Sequence, residues 1–171
     1  MADNRRLIPV LYLDIDGTVR EGKDDPLGRF VNGPEDVRVF PEAVERMRQW
    51  RQRGGRIVGV SNQGGIALGH CTQEDVDLAM DETDRQTGGL FDLMVSCPHH
   101  PEASDPHERY CWCRKPMPGL VIGSAVLLGQ RHPDERYAPA LALYVGDRDE
   151  DVMLADALSL RFEWAKDWRA G

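Results

Sequence analysis

The sequence predicts an α/β domain in which helices flank a parallel sheet. Short apolar runs alternate along the chain with segments of helical periodicity, which is the pattern of parallel strands joined by helices. Asp14, Ser61, Cys97 and Asp147 each stand where an apolar run ends. The carboxyl ends of parallel strands meet at one edge of the sheet, where ligands bind. We expect residues 1–171 to form one domain, because a chain of 171 residues can bury a sizeable core.

Each predicted element has a local signal. Pro41 begins a helix and the glycine pair at 54–55 ends it, as expected from the preference for proline at the start of a helix and glycine just past its end. Thr72, with Asp75 three positions later, predicts a capping box and a second helix that ends near 88–89. The predicted strands are 10–13, 56–60, 91–96, 141–145 and 160–164, and two further helices are predicted at 119–128 and 150–158.

Composition and charge narrow the classes of function. The formal net charge is −8 and no long basic block occurs, which disfavours non-specific binding to nucleic acid. No stretch approaches the roughly 20 apolar residues that span a bilayer, and the N-terminus lacks the features of a signal peptide. We therefore expect a cytoplasmic protein without membrane contact. The sequence indicates no protein partner.

Two carboxylates stand one residue apart directly after the first predicted strand. Asp14 and Asp16 belong to an Asp-x-Asp-Gly-Thr segment at 14–18, and a simple turn is one interpretation, because Asp, Gly and Thr favour turns. Residues i and i+2 at a strand end can, however, point to the same side, so both carboxylates can face one site. Two such charges repel each other unless a proton or a cation lies between them. Mg²⁺ prefers oxygen ligands, so the pair predicts a magnesium site.

Other polar residues follow or precede predicted elements at the same edge. Asp147 ends the fourth predicted strand. The acidic residues 150–151 suit the dipole of a helix N-terminus, but Asp147 precedes that helix and needs another explanation. A hydroxyl, an amide and a lysine from other segments can bind a phosphate at this edge. These residues are Ser61, Asn62 and Lys115.

A cluster of cysteine and histidine predicts a zinc site in the long loop at 97–118. A loop of this length in a compact domain requires a function or a cross-link. Three thiolates and one imidazole form a sufficient tetrahedral set for structural zinc, and His100 is the alternative to His99 as the imidazole ligand. Free buried thiols are the other interpretation of the cysteines. The predicted zinc ligands are Cys97, His99, Cys111 and Cys113. The segment 20–39 is predicted to be a second long connection with little regular structure.

The ordered motifs resemble those of the haloacid dehalogenase (HAD) superfamily over nearly the whole chain. They are Asp-x-Asp-Gly-Thr at 14–18, Ser-Asn-Gln at 61–63, Lys-Pro at 115–116 and Gly-Asp-x-x-x-Asp at 146–151. The resemblance implies a Rossmann-like phosphatase dependent on Mg²⁺, and the short segment 20–39 leaves no room for a large cap domain.

The resemblance also implies a role for each matched residue. Asp14 would be the nucleophile that forms an aspartyl-phosphate, and Asp16 the acid that protonates the leaving group and then activates water. Asp14, the backbone carbonyl of Asp16, and Asp147 would bind Mg²⁺. Asp151 would support the metal or position Lys115. The substrate-binding residues would be Thr18, Ser61, Asn62, Arg114 and Lys115.

Together with these motifs, the zinc loop resembles the heptose bisphosphate phosphatase and histidinol-phosphatase branch, and the segment 61–69 is closer to the heptose member. We therefore expect a small phosphorylated sugar as substrate, with histidinol phosphate as an alternative. The pattern at 30–36 and the ending at 162–165 are instead similar to the phosphatase domain of polynucleotide kinase-phosphatases, which act on DNA 3′-phosphates. A zinc-containing module that only binds cations is a third possibility, but it has no use for a second acid at Asp16.

Overall fold

The computed structural model describes residues 4–23, 31 and 33–171. The strands in these residues are β1 (Arg6–Ile8), β2 (Val10–Leu13), β3 (Arg20–Gly22), β4 (Val37–Val39), β5 (Arg56–Asn62), β6 (Leu93–Cys97), β7 (Glu135–Tyr137), β8 (Leu143–Gly146) and β9 (Arg161–Trp164). The helices are α1 (Pro41–Gln52), α2 (Gln73–Thr87), α3 (Gly119–Arg131), α4 (Asp149–Ala157) and α5 (Ala165–Ala170).

A five-stranded parallel sheet forms the centre of the protein, in the order β6-β5-β2-β8-β9. The central strand β2 pairs with β5 on one side and with β8 on the other. This arrangement confirms the predicted α/β fold. The predicted strands at 91–96 and 141–145 begin two residues later than expected, at Leu93 and Leu143.

Alternate side chains of β2 face two different helical layers, as expected for a strand with a period of two. Leu11 and Leu13 pack in a core that includes residues of α1, α2 and α5. Val10 and Tyr12 pack on the opposite face, with residues of α3 and α4. Leu11 and Leu13 are fully buried, and each contributes about 1.5–3 kcal/mol through removal of apolar surface from water. The core is therefore divided by the sheet into two layers.

The predicted helix signals are present in the structure. The Thr72 hydroxyl accepts from the backbone N–H of Asp75 at 3.1 Å, and an Asp75 carboxylate oxygen accepts from the backbone N–H of Thr72 at 2.8 Å. Gly88 follows α2 with φ of 85°, in the left-handed region that glycine adopts without strain. These contacts confirm the predicted capping box and helix end.

The segment 20–39 differs from the prediction of an irregular connection. Its two ends form an antiparallel ladder in which Arg20 pairs with Val39 and Gly22 with Val37. The side-chain amide of Gln86 in α2 bonds to the backbone N–H of Val39 and to the carbonyl of Val37. Strands of three residues are too short to show a period in the sequence. Residues 24–30 and 32, which include part of the pattern at 30–36, lie outside the described residues.

The sequence also gave no indication of β1, β7 or α5. β1 and β7 form a small parallel pair beside the main sheet. The helix α5 follows β9 directly and buries Ala165 and Trp168 against the core. None of the helices in the described residues combines the length and the apolar character that a bilayer crossing requires.

Candidate active site

The carboxyl ends of three neighbouring strands bring the predicted catalytic residues together. Asp14 follows β2, Asp147 follows β8, and Ser61 lies near the end of β5. The backbone N–H of Asp14 donates to the carbonyl of Val145 at 2.9 Å, so the pairing of β2 with β8 extends as far as Asp14. Asp14 therefore occupies the centre of the sheet edge.

The Asp14 carboxylate is buried and held by two donors. Lys115 Nζ donates to Oδ1 at 2.5 Å, and the Thr18 hydroxyl donates to Oδ2 at 3.2 Å. Burial raises the pKa of Asp14 to about 7, and the negative charge of Asp151 adds to this effect while Lys115 opposes it. Ionised Asp14 therefore depends on nearby positive charge.

Lys115 provides one such charge. Its side chain is 1% exposed, and Nζ also donates to Asp151 Oδ1 at 2.7 Å. Burial alone lowers the pKa of Lys115, but interactions led by Asp14 outweigh it and hold this pKa well above its usual value. Asp151 also accepts from the Tyr144 hydroxyl at 3.1 Å. Lys115 is thus a permanent cation between two carboxylates.

The acidic groups still exceed the fixed positive charge. Oxygens of Asp14, Asp147 and Asp151 lie within 4.8 Å of one another, so with all three groups ionised one lysine leaves two negative charges in excess. Arg148 lies 3.8 Å from Asp147, but its side chain is 46% exposed, and solvent screens such a pair. A divalent cation bound to the carboxylates would balance this excess, so the residues present fit Mg²⁺.

Gly17 allows this approach of the two acidic segments. Its φ is 91°, and a Cβ at this position would overlap the carboxylate of Asp147. Glycine is therefore required both by the backbone conformation and by space. The carboxylate of Asp16 is not part of the acidic cluster of Asp14, Asp147 and Asp151. The implied Mg²⁺ ligand from Asp16 is therefore its backbone carbonyl.

The Asp16 carboxylate instead lies in a hydrogen-bonded group that the sequence indicated only in part. Its Oδ2 accepts from Gln63 Nε2 at 2.6 Å and from the Ser61 hydroxyl at 3.3 Å. Its Oδ1 accepts from Arg20 Nε at 2.8 Å. The Ser-Asn-Gln motif drew attention to Gln63, but no role was predicted for it or for Arg20.

The other predicted substrate-binding residues have structural partners. Asn62 bonds both ways to the backbone of Lys115, through Oδ1 to the N–H at 2.9 Å and through Nδ2 to the carbonyl at 3.1 Å. Arg114 donates to the carbonyl of His99 at 2.9 Å. A Cβ on Gly64 would meet both Arg114 and His100, so these side chains lie against the loop that follows β5. Thr18 is fully buried on Asp14.

The predicted zinc ligands form one compact cluster. Cys97 Sγ lies 3.0 Å from Cys113 Sγ and 3.5 Å from Cys111 Sγ, and His99 Nδ1 lies 3.3 Å from Cys113 Sγ. All four ligand atoms lie within 4.8 Å of one another, and the thiols are free. The backbone N–H of Arg114 donates to Cys111 Sγ at 3.2 Å, a bond that favours a thiolate. The cluster could hold a tetrahedral metal ion.

Arg169 of α5 also contacts the catalytic segment, and nothing in the sequence pattern marked it. Its Nη1 donates to the carbonyls of Gly17 and Thr18 at 2.8 and 2.7 Å, and its guanidinium lies 4.1 Å from the centre of the Phe40 ring. Burial lowers the pKa of Arg169. The helix α5 therefore fixes the turn that follows Asp16.

We expect Arg169→Gln to reduce turnover and to destabilise the protein by about 1–3 kcal/mol, because two carbonyls lose a charged donor. Urea unfolding and steady-state kinetics measure the two effects. Lys166→Gln is the matched control, since Lys166 is exposed on the same helix. Equal stability and turnover in Arg169→Gln and Lys166→Gln would contradict the assigned role.

Comparison with known proteins identifies the family of this chain. No family model matches the sequence. A protein of Thermoplasma volcanium named "Probable D-glycero-D-manno-heptose-1,7-bisphosphate 7-phosphatase" is 33% identical over 156 residues, which cover 89% of this chain and 94% of the relative. The chain belongs to this phosphatase family, within the HAD superfamily. The D-glycero-beta-D-manno-heptose-1,7-bisphosphate 7-phosphatase of Escherichia coli O6:H1 is 30% identical, over 90% of this chain and 76% of the relative.

Solved structures show the same fold. A D,D-heptose 1,7-bisphosphate phosphatase from B. bronchiseptica, complexed with magnesium and phosphate, superposes with a TM-score of 0.70 at 26% identity, over 91% of this chain and 79% of the other. A HAD-like phosphatase from Mesorhizobium loti gives 0.75 at 23% identity, over 94% and 73%. The predictions of a HAD fold and of a phosphoric monoester hydrolase are confirmed.

Proposed function

We propose that this HAD phosphatase removes the 7-phosphate of D-glycero-D-manno-heptose 1,7-bisphosphate through an aspartyl-phosphate on Asp14. The observation that supports the reaction most directly is the buried Asp14 carboxylate, which bonds to Lys115 and lies beside Asp147 and Asp151. The names of the relatives support the substrate, since they match 89–90% of this chain. Two such relatives have heptose 1,7-bisphosphate in their names.

In the first step, Asp14 attacks phosphorus and the bond from phosphorus to the sugar oxygen breaks. Asp16 gives its proton to the departing oxygen. Lys115 and the Ser61 hydroxyl bind the transferred phosphoryl group. In the second step, Asp16 takes a proton from water, the water oxygen bonds to phosphorus, and the bond to Asp14 breaks. Inorganic phosphate leaves, and Asp14 and Asp16 return to their starting states. The covalent intermediate divides one difficult step into two easier ones.

The residues that would hold Mg²⁺ are Asp14, Asp147 and the backbone carbonyl of Asp16, with Asp151 in support. The ion would supply positive charge against the phosphate and the nucleophile, which otherwise repel each other. Asp151 and Lys115 are bonded at 2.7 Å, so Asp151 also fixes the lysine. Tyr144 in turn fixes Asp151.

We further propose that Cys97, His99, Cys111 and Cys113 bind one structural Zn²⁺. Four bonds of about 2.0–2.3 Å fit a cluster of this size. The metal would fix the loop that leads directly into Arg114 and Lys115. Thiolate ligands require reduced cysteines, which suits the expected cytoplasmic location.

The substrate comparison tests this proposal. We expect catalytic efficiency on the heptose bisphosphate to exceed that on histidinol phosphate, as the names of the relatives suggest. We also expect it to exceed that on a 3′-phosphorylated oligonucleotide, because a chain of net charge −8 without a long basic block offers no basic track for successive phosphates. Steady-state kinetics with Mg²⁺ on each substrate measures the preference. A preference for the oligonucleotide by about a hundredfold, roughly 2.7 kcal/mol of transition-state binding, would overturn the sugar substrate in favour of an end-processing phosphatase.

A further inference from the structure

Arg20 is a buried cation near the carboxyl ends of the strands, and the proposed reaction assigns it no role. Only 2% of its surface is exposed, and it is among the largest fully buried side chains of the described residues. It lies in β3, beside the acidic segment of Asp14 and Asp16. Burying an arginine is costly unless its charge is paired and its donors are bonded. The partners of Arg20 therefore indicate what it does.

The guanidinium of Arg20 joins Asp16 to α2. Nε donates to Asp16 Oδ1 at 2.8 Å, and Nη2 lies 3.4 Å from Asp16 Oδ2. Nη1 donates to the carbonyl of Ala79 and to the Thr83 hydroxyl, both at 2.9 Å. Because the guanidinium is planar and its donors are fixed relative to one another, anchoring one end on α2 sets the position of the other.

The two oxygens of Asp16 are consequently not equivalent. Oδ1 has the short bond to Arg20 Nε, whereas Oδ2 lies within 3.3 Å of the Ser61 hydroxyl and 2.6 Å of Gln63 Nε2. Ser61 is a predicted phosphate-binding residue, so Oδ2 is on the substrate side. Oδ1 therefore faces Arg20, and Oδ2, which also accepts from Gln63, faces Ser61 and is the oxygen placed to carry the proton.

We propose that Arg20 is a positioning residue that anchors Asp16 by Oδ1, so that Oδ2 alone exchanges a proton with the leaving oxygen and then with water. This inference rests on the proposed function, because it requires Asp16 to be the acid and base of the reaction. Arg20 contacts neither phosphate nor metal in this role. Its effect on the rate passes entirely through Asp16, and that dependence is measurable.

A double-mutant cycle tests the dependence. We expect Arg20→Gln to lower kcat on an alkyl phosphate by about 10–100-fold, within the roughly 10²–10⁴-fold that a positioned acid or base contributes, with KM changed less than about threefold. In an Asp16→Asn background the same substitution is expected to have no further effect. Arg20→Lys, which keeps the charge without the planar fork, is expected to recover part of kcat. If the fold-losses in kcat of the two single variants multiply in the double variant, the proposal is overturned.

The leaving group provides a second readout that a general loss of structure would not give. Dinitrophenolate leaves without a proton. The single-turnover rate constant for release of dinitrophenolate from 2,4-dinitrophenyl phosphate is therefore expected to stay near the wild-type value in Arg20→Gln. The same variant is expected to be slow with the alkyl phosphate. Equal losses on both substrates would contradict positioning of Asp16.

Thr83→Val keeps the test decisive if Arg20→Gln does not fold. It removes one anchor of Arg20 on α2 at nearly constant volume, and we expect a fewfold loss of kcat that again disappears in Asp16→Asn. Thr87→Val is the matched control, since Thr87 is buried on the same helix and its hydroxyl bonds to the carbonyl of Asp84. An equal loss in Thr83→Val and Thr87→Val would refute the inference.

Failure of the proposed function is a separate result. Wild-type protein that hydrolyses no phosphate ester with Mg²⁺ would refute the function and this inference together. Wild-type protein that is active on some ester other than the heptose bisphosphate would refute only the substrate, because the cycle runs on any alkyl phosphate that the enzyme accepts. If the wild-type protein is active and the substitutions at Arg20 and Asp16 lower kcat independently, only the positioning role of Arg20 is refuted.

Discussion

Replacing Asp14 by Asn is expected to reduce turnover by at least about a thousandfold, roughly 4 kcal/mol of transition-state stabilisation, while the fold is retained. The amide has nearly the same shape as the carboxylate, but it cannot attack phosphorus. Lys115 keeps its bond to Asp151, so it is not left without an anionic partner. Phosphate release from an alkyl phosphate in the presence of Mg²⁺ measures the effect. A variant that retains a tenth of wild-type activity would exclude Asp14 as the nucleophile.

Stability separates loss of chemistry from loss of structure in this variant. Burial raises the pKa of Asp14 to about 7, so stability falls as the pH rises from the usual pKa of a carboxyl group to about 7, and the full cost of ionising Asp14 remains above that pH. At pH 8 the Asp14→Asn protein is therefore expected to have a melting temperature equal to or above that of wild type. Asp81→Asn is the matched control, because Asp81 is exposed on α2 and its replacement should change neither stability nor rate appreciably.

Replacing Cys111 by Ser is expected to prevent binding of the proposed zinc ion and to lower stability and activity together. Binding of structural zinc to small domains amounts to about 10–16 kcal/mol, so loss of one thiolate is expected to destabilise the loop by several kcal/mol. The bond from the Arg114 N–H to Cys111 Sγ would also be lost. Lys115 follows directly in the chain, so the position of this proposed phosphate-binding cation would become less well defined.

Elemental analysis checks this result, with one zinc per chain expected in wild type and less than one in Cys111→Ser. Cys71→Ser is the control, because Cys71 is a free thiol outside the cluster and its replacement should leave the zinc content unchanged. Wild-type protein purified without chelator and free of any transition metal would contradict the zinc proposal.

The sequence by itself determined the features that depend on neighbours along the chain. The capping box of α2 needs only Thr72 and Asp75, and the burial of β2 follows from a continuous apolar run. The positions of Asp14 and Asp147 at strand ends were also predictable, because the rule that ligands bind beyond the carboxyl ends of parallel strands needs only the order of strands. Membership of the HAD superfamily followed from the spacing of four short motifs.

The tertiary structure decided which side chains fix the predicted catalytic residues. Arg20 meets Thr83 across 63 positions and Arg169 meets Thr18 across 151, and no local pattern encodes such a pair. An arginine in a polar stretch is most often exposed, and these two are identified only by their buried partners. The short pairing of β3 with β4 was hidden for the same reason. Gln86 in α2 bonds to the backbone of β4, and Thr83 in the same helix bonds to Arg20, so contacts distant in sequence hold β3 and β4 against α2.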